Sequence, residues 1–159
     1  MPPKSFTAGI ISPSKAPAFV KRLKRSGKRV VFTNGVFDVL HRGHVEYLAT
    51  AKSFGDVLIV GLNTDASVRR LKGPGRPLQP LRDRAIILLA LESVDYVIPF
   101  GAERPQRLIE SISPDILVKG ADYKLDEIAG ADYVLAHGGK VHRIRLTSGR
   151  SSSKIIERF

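Results

Sequence analysis

A chain of 159 residues has room for one core, large enough to bury roughly two-thirds of the surface its unfolded form exposes, and for no second domain of ordinary size. Apolar residues at 43% and charged ones at 26% are globular proportions, no stretch nears the ~20 apolar residues of a membrane span, and the lack of cysteine excludes a disulfide framework, a thiolate nucleophile and a Cys-ligated metal. The net charge of +11 is unevenly spread: residues 1–29 hold eight of the 26 Lys and Arg and no acid, which leaves 18 basic against 15 acidic residues elsewhere. The start, Met1-Pro2-Pro3-Lys4, has no apolar run before a small-residue cleavage site, and together with the missing cysteines this points to the cytoplasm.

In chain order, residues 1–13 read as an N-terminal extension and 14–159 as the domain. Ala16, Phe19, Val20 and Leu23 fall at i, i+3, i+4 and i+7, so an amphipathic helix is expected, with Ser14 as its cap, Pro17 in the tolerant first turn and Ser26-Gly27 as its stop. Its Lys and Arg then form a solvated outer face. Strands are expected at 30–33, 56–62, 94–98, 115–119 and 140–146, where β-branched and apolar residues cluster at strand length. Helical patterns at 45–52, 81–91, 105–111 and 131–137 lie between them. After Asn63-Thr64-Asp65, residues 69–77 hold Gly73, Pro74, Gly75 and Pro77, and this density predicts an irregular basic loop able to close over a ligand. Such alternation specifies an α/β fold, a Rossmann-like open parallel five-stranded sheet with helices on both faces, in a single domain.

Open parallel sheets bind ligands beyond the carboxyl ends of their strands. The first such end carries Thr33-Asn34-Gly35-Val36-Phe37-Asp38-Val39-Leu40-His41-Arg42-Gly43-His44: a strand end, a glycine turn and a helix start with two histidines three apart. Both imidazoles can face one ligand there, beside free backbone N–H groups and the positive end of the helix dipole, which makes a phosphate cradle. Zinc fits less well, since a third ligand would have to come from His137, His142 or a carboxylate, and no metal site is expected. After the last strand, Ser151, Ser152 and Ser153 open a short helix and can either cap it or donate to phosphate oxygens. The fourth strand ends in Lys119, Gly120, Asp122 and Tyr123, a set suited to lining a base and ribose.

The run Gly35, Phe37, Asp38, His41, Gly43 and His44 matches G-x-F-D-x-x-H-x-G-H, and in this the chain resembles the cytidylyltransferase-like nucleotidyltransferases. The resemblance implies that His41 and His44 contact a triphosphate and stabilise its transition state. Residues 63–68, 70–73, 76–77, 105–109 and 117–123, continuing through 127–130 and 138–139, resemble one branch of that superfamily, the adenylyltransferase domain of ADP-heptose synthases. That branch implies transfer of AMP from ATP, with Mg²⁺, to D-glycero-β-D-manno-heptose 1-phosphate, giving ADP-heptose for the lipopolysaccharide core. It further implies a homodimer and a separate heptose kinase supplying the substrate. The roles that follow are catalysis by His41, His44 and Lys72; nucleotide binding by Thr33, Asn34, Gly35, Phe37, His41, Gly43, His44, Lys119, Gly120, Asp122, Tyr123 and Ser151 to Ser153; and acceptor binding by Asp38, Asn63, Asp65, Lys72 and Arg84. Two places depart from the branch: Ser148-Gly149-Arg150 stands where Glu-Gly-Cys is usual, and Arg82 where an acid is usual, so positive charge rises near the phosphates.

Other readings remain at this point. A nucleotidyltransferase of the same fold could use CTP, or glycerol phosphate, pantetheine phosphate or a flavin as acceptor. A basic nucleic-acid-binding module would explain the charge, and it predicts salt-sensitive binding carried by residues 1–29. No helix-turn-helix or zinc-finger pattern supports it, so neither a nucleic-acid nor a membrane partner is expected.

Overall fold

The computed structural model describes residues 5–147 and 151–159. Five parallel strands form one sheet: β1 (Val30–Gly35), β2 (Val57–Asn63), β3 (Tyr96–Phe100), β4 (Ile116–Gly120) and β5 (Lys140–Ile144), in the order β3-β2-β1-β4-β5. Between them run α2 (Arg42–Ser53), α3 (Asp65–Lys72), α4 (Leu81–Ala90), α5 (Gln106–Ile112) and α6 (Ala131–Ala136), with α1 (Ala16–Arg25) before the first strand and α7 (Ser152–Ile156) after the last. The near-continuous apolar runs of the strands are explained by their place in a sheet covered on both sides. Alternate strand residues serve two cores. Val30, Phe32, Ile59 and Leu117 pack with Ala16 and Val20 of α1, Leu108 and Ile109 of α5 and Val134 of α6. Val31, Leu58, Val60 and Val118 pack with Leu48 and Ala51 of α2 and Leu88 and Leu89 of α4. Among the described residues no helix is long and apolar enough to cross a membrane.

The strand order reverses between β1 and β4, and there the pairing is short. Val31 pairs with Ile116 and Phe32 with Leu117, and the ladder stops, whereas β1 and β2 stay in register from Val30 to Gly35. The crevice that opens at this switch point is the fold's natural ligand site.

Three expectations are corrected. Residues 69–72 are not loop but the end of helix α3, which begins at Asp65: Thr64 caps it by accepting from Ser67 N, Asp65 lies at its positive end, and Arg69, Arg70 and Lys72 lie at its negative end. The breakers begin only at Gly73, whose φ of 100° ends the helix in a conformation few other residues adopt. β3 begins at Tyr96 and runs on through Pro99, which a strand at the sheet edge tolerates because one side needs no N–H donor. Ser14 does not cap α1; Lys15 is the N-cap residue, and the Ser14 hydroxyl meets that of Ser12. The segment ahead of α1 lies on the domain: Ile11 N donates to Val97 O at 2.9 Å, and Phe6 and Ile10 pack on the second core.

Candidate active site

A cavity of about 780 Å³ lies over the carboxyl ends of the strands. The first wall comes from the turn after β1 and the start of α2. His41 is the N-cap of α2, and its Nδ1 accepts from Gly43 N at 3.0 Å, while His44 Nδ1 accepts from His41 N at 3.3 Å. A backbone N–H can only donate, so each Nδ1 presents its lone pair and a neutral ring must carry its proton on Nε2. The two rings stack with centroids 3.8 Å apart, and Phe37 meets His44 edge to face at 5.3 Å. Burial, reinforced by the neighbouring His41 and Lys72 charges, lowers the His44 pKa to about 4. His44 is thus a neutral Nε2–H donor at physiological pH. Phe37 holds its place at φ 47°, a left-handed conformation that costs on the order of 1–2 kcal/mol in a non-glycine residue and is tolerated where the surroundings over-determine it.

The second wall is cationic. Lys72 ends α3, and its pKa is lowered by burial and by the nearby Arg76, with Asp38 opposing. The loop after it is tied down by the buried carboxylate of Asp38, which accepts from Arg76 Nε at 3.0 Å, Leu78 N at 2.8 Å and Gln79 N at 2.9 Å; Gln79 Nε2 also donates to Asp38 O. Burial pushes the Asp38 carboxyl up, but the backbone donors of Leu78 and Gln79 together with Arg76 outweigh it, and its pKa falls below the usual range.

The third wall is the end of β4. Lys119 Nζ donates to Asn34 O at 3.2 Å and sits 5.0 Å from the centre of the Tyr123 ring. Burial lowers its pKa to about 8, against the opposing pull of Asp122. Gly120 packs where a Cβ would come within 2.5 Å of the Asp122 carboxylate. The start of α7 closes the fourth side: Ser151, Ser152 and Ser153 line the cavity, with Ser151 Oγ capping Lys154 N and Ser152 Oγ donating to Val39 O at 2.6 Å. Ser148, Gly149 and Arg150 lie outside the described residues.

Most of the sequence-predicted residues therefore meet in one cavity: Asn34, Gly35, Phe37, Asp38, His41, Gly43, His44, Asn63, Lys72, Lys119, Gly120, Asp122, Tyr123 and the three serines. Thr33, Asp65 and Arg84 do not line it. Thr33 is buried under it, its hydroxyl 2.7 Å from that of Tyr47. Arg84, 1% exposed, donates to Val36 O, Asn63 O, Gln79 O and Asp65 Oδ1, so it braces the segments around the cavity from below. Leu71 and Arg76, from the basic loop expected to close over a ligand, and Thr147, just ahead of the serines, also line the cavity; Val36, Tyr47, Glu103, Arg104 and Leu146 line it too and had no role assigned from the sequence. Glu103 and Arg104 follow β3, and the rule that sends ligands to strand carboxyl ends would have pointed to them. Among the described residues no group of three His, Asp or Glu side chains is placed to hold a metal.

Stacked imidazoles, two lysines and a helix start around a switch-point crevice define a nucleotide-binding α/β enzyme that acts on phosphate groups. The cytidylyltransferase-like family model matches residues 32–158, and the chain belongs to that family of nucleotidyltransferases. It is 52% identical over 148 residues to the bifunctional protein HldE of Edwardsiella ictaluri (93% of this chain, 31% of the relative). It is 54% identical over 140 residues to that of Citrifermentans bemidjiense (88% and 29%). The chain thus spans about a third of the length of these curated relatives. Among solved structures, a lipopolysaccharide core biosynthesis protein from Thermoplasma volcanium is similar at 30% identity and TM-score 0.61, over 76% of this chain and 98% of that one. Pantoate-beta-alanine ligase from Francisella tularensis, at 17% identity and TM-score 0.66 over 91% and 68%, shares the fold.

Proposed function

We propose that this domain transfers AMP from ATP to a sugar 1-phosphate, D-glycero-β-D-manno-heptose 1-phosphate, releasing pyrophosphate and ADP-heptose for the lipopolysaccharide core. The reaction would take place in the cytoplasm, where ATP is available, with the protein acting as a homodimer. The observation that carries the chemistry is the pair of stacked histidines whose Nδ1 atoms are occupied by backbone N–H groups in one cavity with Lys72 and Lys119. The acceptor rests on high identity to the HldE relatives and on likeness to the lipopolysaccharide core biosynthesis protein.

In this reading an oxygen of the sugar phosphate attacks the α-phosphorus of ATP, a new P–O bond forms, and the bond to the β-phosphate oxygen breaks, its electron pair leaving with pyrophosphate. No covalent enzyme intermediate is needed, so the protein supplies positioning and charge stabilisation. His41 and His44 donate from Nε2 to phosphoryl oxygens, Lys72 neutralises charge between acceptor and α-phosphate, and the α7 start holds the far phosphates. Lys119, Gly120, Asp122 and Tyr123 face the adenosine. Asn63 lines the acceptor side, with Asp65 and Arg84 bracing it.

Mg²⁺ in nucleotide sites takes few protein ligands and keeps phosphates and waters. Only scattered carboxylates, Asp122 and Glu103 among them, line this cavity, which fits a metal arriving with ATP. When bound it neutralises phosphate charge. The acceptor's chemistry requires a kinase that phosphorylates the anomeric hydroxyl, a heptose kinase, upstream.

The test is pyrophosphate release with ATP or CTP against heptose 1-phosphate, glycerol phosphate and pantetheine phosphate, with ³¹P NMR of the product. Turnover with ATP and heptose 1-phosphate is expected, and a CTP requirement would overturn the reading. His44→Ala is expected to lose on the order of 10² to 10³ in kcat with thermal unfolding preserved; wild-type turnover in that variant removes the histidine from the mechanism.

A further inference from the structure

The crevice between β1 and β4 opens where a sheet would ordinarily continue. The next partners in register after Phe32 and Leu117 are Thr33 and Val118, and they do not pair. In the place of that missing rung lies the hydroxyl of Tyr47, which reaches in from α2, donates to Val118 O at 3.2 Å and lies 2.7 Å from Thr33 Oγ1. A phenol has one proton, so with that proton on the Val118 carbonyl the Thr33 hydroxyl must donate to Tyr47. One position further along, Lys119 Nζ reaches Asn34 O, again bridging the two strands with a side chain. Tyr47 also lines the cavity floor, and in the mechanism above it touches no reacting atom.

We propose that Tyr47 is a positioning residue: its hydroxyl is a strut between the diverging ends of β1 and β4 that sets the width of the nucleotide crevice and so the placement of Asn34 and Lys119 against ATP. This deepens the proposed function and rests on it for the identity of the nucleotide. The ring packs against the second core and would stay there in a phenylalanine variant, so the packing and the strut can be separated. Burial raises the phenol's pKa, with Asp122 and Tyr123 adding to the rise and Thr33 opposing it, so the group remains a donor at any working pH.

The experiment is a double-mutant cycle of Tyr47→Phe and Thr33→Val, read by binding of a fluorescent N-methylanthraniloyl ATP, by KM for ATP and for the acceptor, and by Tm. Tyr47→Phe is expected to weaken binding of the fluorescent nucleotide and raise KM for ATP about tenfold, the effect of one buried hydrogen bond. KM for the acceptor and kcat should stay within about twofold. Because both hydroxyls belong to one bridge, the double variant should be little worse than Tyr47→Phe alone. Unchanged nucleotide affinity in Tyr47→Phe overturns the proposal, and so does a uniform loss in both KM values and kcat that follows a fall in Tm, which would make the hydroxyl a matter of stability alone. If the wild type binds the fluorescent nucleotide but turns over none of the acceptors, the acceptor reading fails while the nucleotide arm still decides the strut.

Discussion

His44 couples the site to pH through a group that is usually protonated only below about 6.5. Its folded pKa is about 4, so between those values the unfolded chain binds a proton that the folded chain does not. Stability therefore falls as pH drops from 6.5 towards 4 and this contribution levels off below, with an upper bound of roughly 3 kcal/mol. Asp38 acts in the next window: its pKa is lowered, so the stability it gives is present above its unfolded value of 3.8 and is lost as pH falls below that. Denaturant titrations from pH 7 to 4 are expected to lose stability steadily in the wild type and to flatten in His44→Gln. Histidine ring NMR should place the His44 midpoint near 4. A midpoint near 6.5 would mean that the ring is solvated and that burial does not hold it neutral.

At the scale of elements, α3 is where the sequence misled and where the structure offers a check. Its second half was hidden because Gly73, Pro74, Gly75 and Pro77 follow directly, and a reading of 69–77 as one window averages a helix end with its breakers. The strands were legible wherever β-branched runs were bounded by charged or small residues, as in β1, β2 and β4. β3 was misplaced by two residues because Pro99 argues against strand until the sheet order makes it an edge. The histidine turn and the ends of β4 and β5 were legible because chemistry clusters after strands. Arg84 and Tyr47 were not assigned their places because bracing depends on contacts far apart in sequence: Arg84 to Val36 and Tyr47 to Val118. Thr64→Ala removes the cap of α3 and is expected to cost about 1 kcal/mol in stability. Since α3 ends in Lys72, KM for the acceptor should rise more than KM for ATP; an equal rise in both would disconnect the helix from the acceptor side.

Over the whole molecule, two groups of positive charge stand out at opposite ends of the sheet. Arg25, Lys28 and Arg29 sit just before β1, whereas Lys72, Arg76 and Lys119 line the cavity beyond the carboxyl ends. The six residues of β1 separate the two ends by roughly 20 Å at ~3.3 Å per residue, about two and a half Debye lengths at physiological ionic strength. Charges that far apart across solvent are screened, so the basic N-terminal segment, which supplies much of the +11, contributes little to drawing ATP into the site. Arg25→Gln combined with Lys28→Gln should therefore leave kcat/KM for ATP within about twofold at 0.15 M salt, while Lys72→Gln lowers turnover by on the order of 10². Repeating both at 0.01 M salt, where the Debye length is about 30 Å, should uncover a modest loss in the double variant. A large loss at 0.15 M salt would show that the amino-end charges reach the nucleotide directly, and the two-group picture would have to be abandoned.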